Sequence, residues 1–178
     1  LCSLQSLSGE AVHGKNTSLR SRDFFLALIH IILYSGHRAD TNRDKHGAKE
    51  KEIMKFCTVI NCIDGRVQFP VLEYLRTRFN TPWIDSVTQP GPELCLSDKE
   101  DSAEKTSILQ RVAVSIERHE SREIAVVAHH DCAANPASKE TQLIQLAQAR
   151  DLLQSSFPQC EVISLYVNDQ WEVQAIEA

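Results

Sequence analysis

The sequence is short of methionine and of positive charge. Met54 is the only Met in 178 residues, and 19 Lys and Arg stand against 24 Asp and Glu, for a net charge of −5. A chain on the acidic side lacks the basic footprint that nucleic-acid binding requires. Long apolar runs are missing too. Phe24 to Tyr34 is apolar but broken by His30, and it falls short of the roughly 20 residues that span a bilayer. Six Cys are too few for a disulfide-built scaffold of this size. None of them forms a C-x-x-C pair, so the usual thiol redox motif is absent. There is no internal repeat and no low-complexity tract. What remains is 42% hydrophobic and 24% charged, the balance of an ordinary soluble chain with one core. Its irregularly spaced thiols fit a reducing, cytoplasmic setting.

Leu1 opens the sequence, and Met54 stands immediately before the first expected strand. Three readings of residues 1–53 are open. The segment is an extension ahead of a true start at Met54, an amphipathic arm that packs on a partner subunit, or a targeting sequence. The last has Arg20 and Arg22 before the Phe24–Tyr34 run but only Ser35-Gly36 as a poor cleavage site. Residues 54–178 are expected to form a single domain.

From Met54 onward strands and helices alternate, which predicts an α/β fold with a parallel sheet and right-handed crossovers. Lys55 to Ile63 is nearly continuous in apolar and β-branched residues, as a strand covered on both faces should be. The helix that follows has Pro70 in its expected first turn, and Val71, Leu72, Leu75 and Phe79 recur on one face. Trp83–Val87 is a short second strand. Thr88-Gln89-Pro90-Gly91-Pro92 reads as a loop beside the Cys62 turn, either a pocket wall or a connector stiffened by proline. Ser97-Asp98-Lys99-Glu100 is expected to open the second helix, with Ile108, Leu109, Val112 and Ile116 inward. His119 reads as surface. Glu123–Ala128 is the third strand, Pro136 and Ser138 start the next helix, and Glu161–Val167 is the fourth strand. The tail with Trp171, Val173 and Ile176 is an edge strand or a subunit contact.

Two of these strands end in demanding chemistry. The first runs into Cys62-Ile63-Asp64-Gly65-Arg66, and the third into His129-His130-Asp131-Cys132. Ligands bind beyond the carboxyl ends of parallel strands. Cys62, His129 and Cys132 make a three-donor set with a fourth position open, which is how zinc is held when it also does chemistry. The alternatives are buried structural thiols or a metal-free redox pair. Cys57, in mid-strand, is read as structural. His130 is either a proton shuttle or a surface residue, and Asp131 either caps the loop or faces solvent.

The pair C-x-D-x-R and H-x-x-C, each after an expected strand, resembles the zinc-site motifs of β-class carbonic anhydrases. The similarity runs from Met54 to about Val167 and is greatest to compact, divergent bacterial members. It implies a small sheet of about four strands in the order 2-1-3-4, flanked by helices, which sets the first and third strands side by side. It also implies zinc on Cys62, His129 and Cys132, an Asp64–Arg66 dyad, and a homodimer or higher oligomer. Family members usually have Gly after the second Cys, where this chain has Ala133.

The function so implied is reversible hydration of carbon dioxide, or of a related small linear substrate, to bicarbonate by zinc-bound hydroxide. Asp64 would orient the nucleophile or, in a closed form, bind the metal. Two thiolates and a neutral imidazole cancel the charge of zinc, so its water is acidified less than by a three-histidine site, and Arg66 would recover part of the effect. A structural ion pair capping the turn would use Arg66 equally well. The alternative function is a non-catalytic zinc-binding protein of the same fold. No nucleic-acid or membrane partner is expected.

Overall fold

The computed structural model describes residues 55–177. The readings of residues 1–53 lie outside the described residues. The strands are β1 (Phe56–Asn61), β2 (Trp83–Thr88), β3 (Glu123–His129), β4 (Glu161–Val167) and β5 (Val173–Ile176). They are joined through helices α1 (Gly65–Phe79), α2 (Pro92–Ser97), α3 (Ala103–His119) and α4 (Lys139–Ser156).

The sheet has five strands in the order β2-β1-β3-β4-β5. The first four are parallel and reproduce the expected 2-1-3-4 arrangement. The fifth is the tail, which turns back and pairs antiparallel with β4, Val167 opposite Val173. The tail is thus an edge strand, and the strand count is one higher than expected.

Each central strand feeds both faces of the sheet by simple alternation. Val59, Ala125 and Val127 point to α1, where they meet Val67, Val71, Leu75 and Phe79. Ile60, Ile124 and Val126 point the other way, to Ile108, Val112 and Ile116 of α3 and Leu146 and Leu153 of α4. Covering both faces is what makes these strands continuous apolar runs rather than alternating ones. Burying each such side chain contributes roughly 1.5–3 kcal/mol.

Two local expectations are corrected. α1 begins at Gly65 with Asp64 as its N-cap, so Pro70 lies inside the helix rather than in its first turn; having no N–H, Pro70 leaves the Arg66 carbonyl without an intrahelical donor. Pro92–Ser97 is a separate short helix started by Pro92 at its N-terminus. The long helix α3 is capped not at Ser97 but at Ser102, whose hydroxyl accepts from the Lys105 N–H. Leu96 is drawn into the core, and the chain leaves the first helix at Asp98, whose backbone is extended. His119 is at the surface, as expected, but it is not without partners. Its Nδ1 lies 2.6 Å from Asp85 Oδ2, and its ring stacks on Phe56 at 4.4 Å.

No helix among the described residues is long and apolar enough to cross a membrane.

Candidate metal centre

β1 and β3 are neighbours in parallel register, with Thr58 opposite Ile124 and Ile60 opposite Val126. Their carboxyl ends therefore finish together. Cys62 follows β1 directly, His129 is the last residue of β3, and Cys132 sits in the turn beyond it. Their donor atoms all lie within 4.8 Å of one another, and all three residues are buried. The two sulfurs are 3.9 Å apart. Two thiolates sharing a tetrahedral zinc at bond lengths of about 2.3 Å would be separated by about 3.8 Å.

The imidazole is set up in the same sense. His129 Nδ1 is 2.8 Å from the His130 carbonyl, an acceptor, so Nδ1 carries the proton. Nε2 is left with a lone pair, is buried, and has no hydrogen-bond partner. A buried polar atom without a partner is costly and calls for an explanation. A backbone carbonyl on the far nitrogen is also the usual support of a metal-binding histidine. His130 itself is exposed.

Local hydrogen bonds hold each donor. Gln68 Nε2 donates to the carbonyls of Cys62 and Asp64 at 2.7 and 2.9 Å and so fixes the turn after β1. Burial pushes the Cys62 thiol upward, but in the metal-free site the His129 ring in its protonated form and the backbone N–H groups of Asp64 and Gly91 outweigh it and bring the thiol to about 7. Cys132 goes the other way, raised by burial and by the neighbouring Cys62. Cys57, shut in the core, is pushed up to about 12, chiefly by burial. Its role is packing.

The Thr88–Pro92 loop does run beside the Cys62 turn, with Gln89 N–H donating to the Asn61 carbonyl at 2.9 Å. Gly91 is required there. It has φ +53°, and an added Cβ would lie 3.4 Å from Ala134 and Asn135. Where the resemblance leads one to expect glycine, Ala133 is exposed and its backbone is not left-handed. Asp131, at φ 54°, makes the left-handed turn instead.

Asp64 and Arg66 meet side by side. Arg66 Nε donates to Asp64 Oδ1 at 3.0 Å, and Nη2 to Oδ2 at 2.6 Å. Hydrogen bonding from Arg66 holds the Asp64 carboxyl at about 2. Asp64 Oδ1 also accepts the Arg66 backbone N–H, capping α1. Asp64 is thus turned to Arg66, and its carboxylate is not one of the three donors that converge within 4.8 Å.

Sequence reading missed two features of the surroundings. Glu93, fully buried on α2, accepts from Asn135 Nδ2 at 2.6 Å. Asn135 in turn closes the Cys132 turn through its N–H to the Cys132 carbonyl. A glutamate in the first turn of a helix reads as a dipole partner in solvent, so nothing in the sequence signalled its burial. Arg66 also holds Asp131 Oδ2 at 2.9 Å and carries the Trp171 ring 4.4 Å from its guanidinium carbon.

Residues 52–177 match the family model described as "Putative carbonic anhydrase". No curated protein matches the sequence. Among solved structures, a tetrameric β-carbonic anhydrase from the filamentous ascomycete Sordaria macrospora is similar at 10% identity over 89% of this chain and 98% of that one, with a TM-score of 0.48. The β-carbonic anhydrase CafA of the fungal pathogen Aspergillus fumigatus is 9% identical over 70% and 76% of the two chains, with a TM-score of 0.41. The β-carbonic anhydrase CcaA is 12% identical over 88% and 86%, with a TM-score of 0.42.

Proposed function

Since the chain belongs to a β-carbonic anhydrase-like family, we propose that it is a zinc-dependent lyase catalysing the reversible hydration of carbon dioxide, or of a related small linear substrate. The observation that carries this is the convergence of Cys62, His129 and Cys132, with the buried His129 Nε2 left unpartnered. Two soft thiolates and one imidazole suit zinc. Bound by these residues, zinc would supply Lewis acidity and bring the ionisation of water toward neutral pH.

The rest falls to the chain's own side chains. Arg66 keeps Asp64 ionised and aimed, so that Asp64 presents a fixed hydrogen-bond acceptor beside the centre. The guanidinium adds a permanent positive charge where bicarbonate, an anion, is formed and released. Residues 54–178 make up the zinc domain in this reading. The cytoplasmic setting is supported by the five free cysteines among the described residues, and homo-oligomerisation belongs to the same reading.

A second reading, a non-catalytic zinc protein, is favoured by one observation: Asp64 already caps α1. The dyad then has a structural use without any chemistry. Zinc analysis of the full chain, paired with stopped-flow hydration of carbon dioxide, separates the two.

A further inference from the structure

We propose that Trp171 is a positioning residue for Arg66, and that the β4–β5 hairpin exists in part to hold the guanidinium in the pose that pairs with Asp64. The inference rests on the dyad's role in the function proposed above.

The hairpin is organised by Asn168. Its Oδ1 accepts the N–H groups of Gln170 and Glu172 at 3.0 and 2.8 Å, and its carbonyl accepts that of Trp171 at 3.1 Å. Its own N–H donates to the Glu172 carbonyl at 3.0 Å. An asparagine that closes a turn on its own backbone is a standard use of that side chain. Here it forces the following residues into one shape, and in that shape the Trp171 ring lies over Arg66.

The backbone points the same way. Four non-glycine residues among those described have positive φ: Asn80, Glu120, Asp131 and Trp171. Asn80 and Glu120 are ordinary left-handed helix C-caps. Asp131 and Trp171 end no helix, and both touch Arg66. A left-handed tryptophan, at φ 63°, is an uncommon conformation for a bulky residue. Strain of this kind persists only where the surroundings over-determine it, and it concentrates at functional sites.

Together the contacts leave Arg66 little freedom. Asp64 takes Nε and one N–H of Nη2, while the Asp131 carboxylate and carbonyl take Nη1 and Nη2. Trp171 covers a face of the guanidinium, where an aromatic ring attracts a cation and displaces water. Without it the side chain is held only at its edges and can swing, which loosens its pairing with Asp64.

The test compares Trp171→Phe, which keeps a π-face, with Trp171→Leu, which keeps apolar bulk only. Both are made in the full chain, alone and in an Arg66→Ala background. The structural readout is the Arg66 Nε–H resonance in nitrogen-15 NMR, assigned by its loss in Arg66→Lys, with its rate of exchange with solvent. The wild type and Trp171→Phe are expected to show a protected resonance, and Trp171→Leu an exchange-broadened one. Zinc content should be unchanged in both. Turnover in Trp171→Leu should fall about five- to tenfold at constant KM, be largely recovered in Trp171→Phe, and fall no further when Arg66 is already alanine. A protected resonance in Trp171→Leu would overturn the inference, as would an equal loss of turnover with and without Arg66. If the wild type binds no zinc or hydrates no carbon dioxide, the proposed function fails, and the resonance alone then decides whether Trp171 positions Arg66.

Discussion

Glu93 Oε1 sits 2.6 Å from Asn135 Nδ2, with both residues buried. This contact ties α2 to the turn that carries Cys132, since the Asn135 N–H also closes that turn. The other carboxyl oxygen, Oε2, is buried without a partner. Burial raises the Glu93 pKa, so the folded state binds this proton more tightly than the unfolded chain does. Stability from this group is then greatest below the ordinary glutamate range near 4.3 and declines as pH rises through the folded value. Glu93→Gln should flatten that decline in urea titrations while holding Asn135. Glu93→Ala should cost about 2–4 kcal/mol, through a cavity and one unpaired Asn135 N–H, the other being held by Gln145 Oε1. Equal stability of Glu93→Ala and wild type would contradict this role.

Among the described thiols only Cys62 is brought down, to about 7; Cys57, Cys95, Cys132 and Cys160 are all raised. In metal-free protein, thiolate ultraviolet absorbance should therefore rise in a first step with its midpoint at about 7, and Cys62→Ser should abolish that step. Because the metal needs the thiolate, apparent zinc affinity should weaken as pH falls through the same range. A first step in the ordinary thiol range would show that His129 does not act on Cys62.

Asp64→Asn separates chemistry from structure, because asparagine caps a helix as well as aspartate does. The variant should keep its zinc and lose no more than about 1 kcal/mol in thermal unfolding, the scale of a partly exposed ion pair such as that with Arg66. It should nevertheless lose turnover by about a hundredfold or more, the scale for removing a group that acts on the transition state. Arg66→Ala should also lose activity, with α1 still capped by Asp64. Unchanged hydration in both variants would reduce the dyad to a structural ion pair.

A chain trimmed to residues 54–178 should unfold in one cooperative transition and bind as much zinc as the full chain. Chemical denaturation and metal analysis of both forms check this. Loss of metal on trimming would assign residues 1–53 a part in the folded domain.

The sheet was legible because its signals are local. Phe56–Asn61 and Glu123–His129 are apolar runs bounded by polar turns, and the helix stripes at Val71, Leu75, Ile108 and Val112 fall where periodicity puts them. The meeting of Cys62 with His129 and Cys132 was legible through the motif pair, since adjacency of β1 and β3 follows from the strand order. The α2 helix was not, because Ser97-Asp98-Lys99-Glu100 offers as good a cap by pattern as Ser102, which is the residue that caps α3. Nor were the outer partners of Arg66. Asp131 and Trp171 are distant from it in sequence, and both reach it through left-handed backbone that sequence pattern does not announce.

The central claim is that Cys62, His129 and Cys132 hold a zinc ion that serves the hydration of carbon dioxide. The most direct test is zinc per chain, measured on protein purified without chelator, alongside the hydration rate of the same sample. The account predicts one zinc per chain, its loss in Cys62→Ser and Cys132→Ser, and hydration far above background that disappears with the metal. Zinc-free wild-type protein, or zinc retained in both cysteine variants, would contradict it.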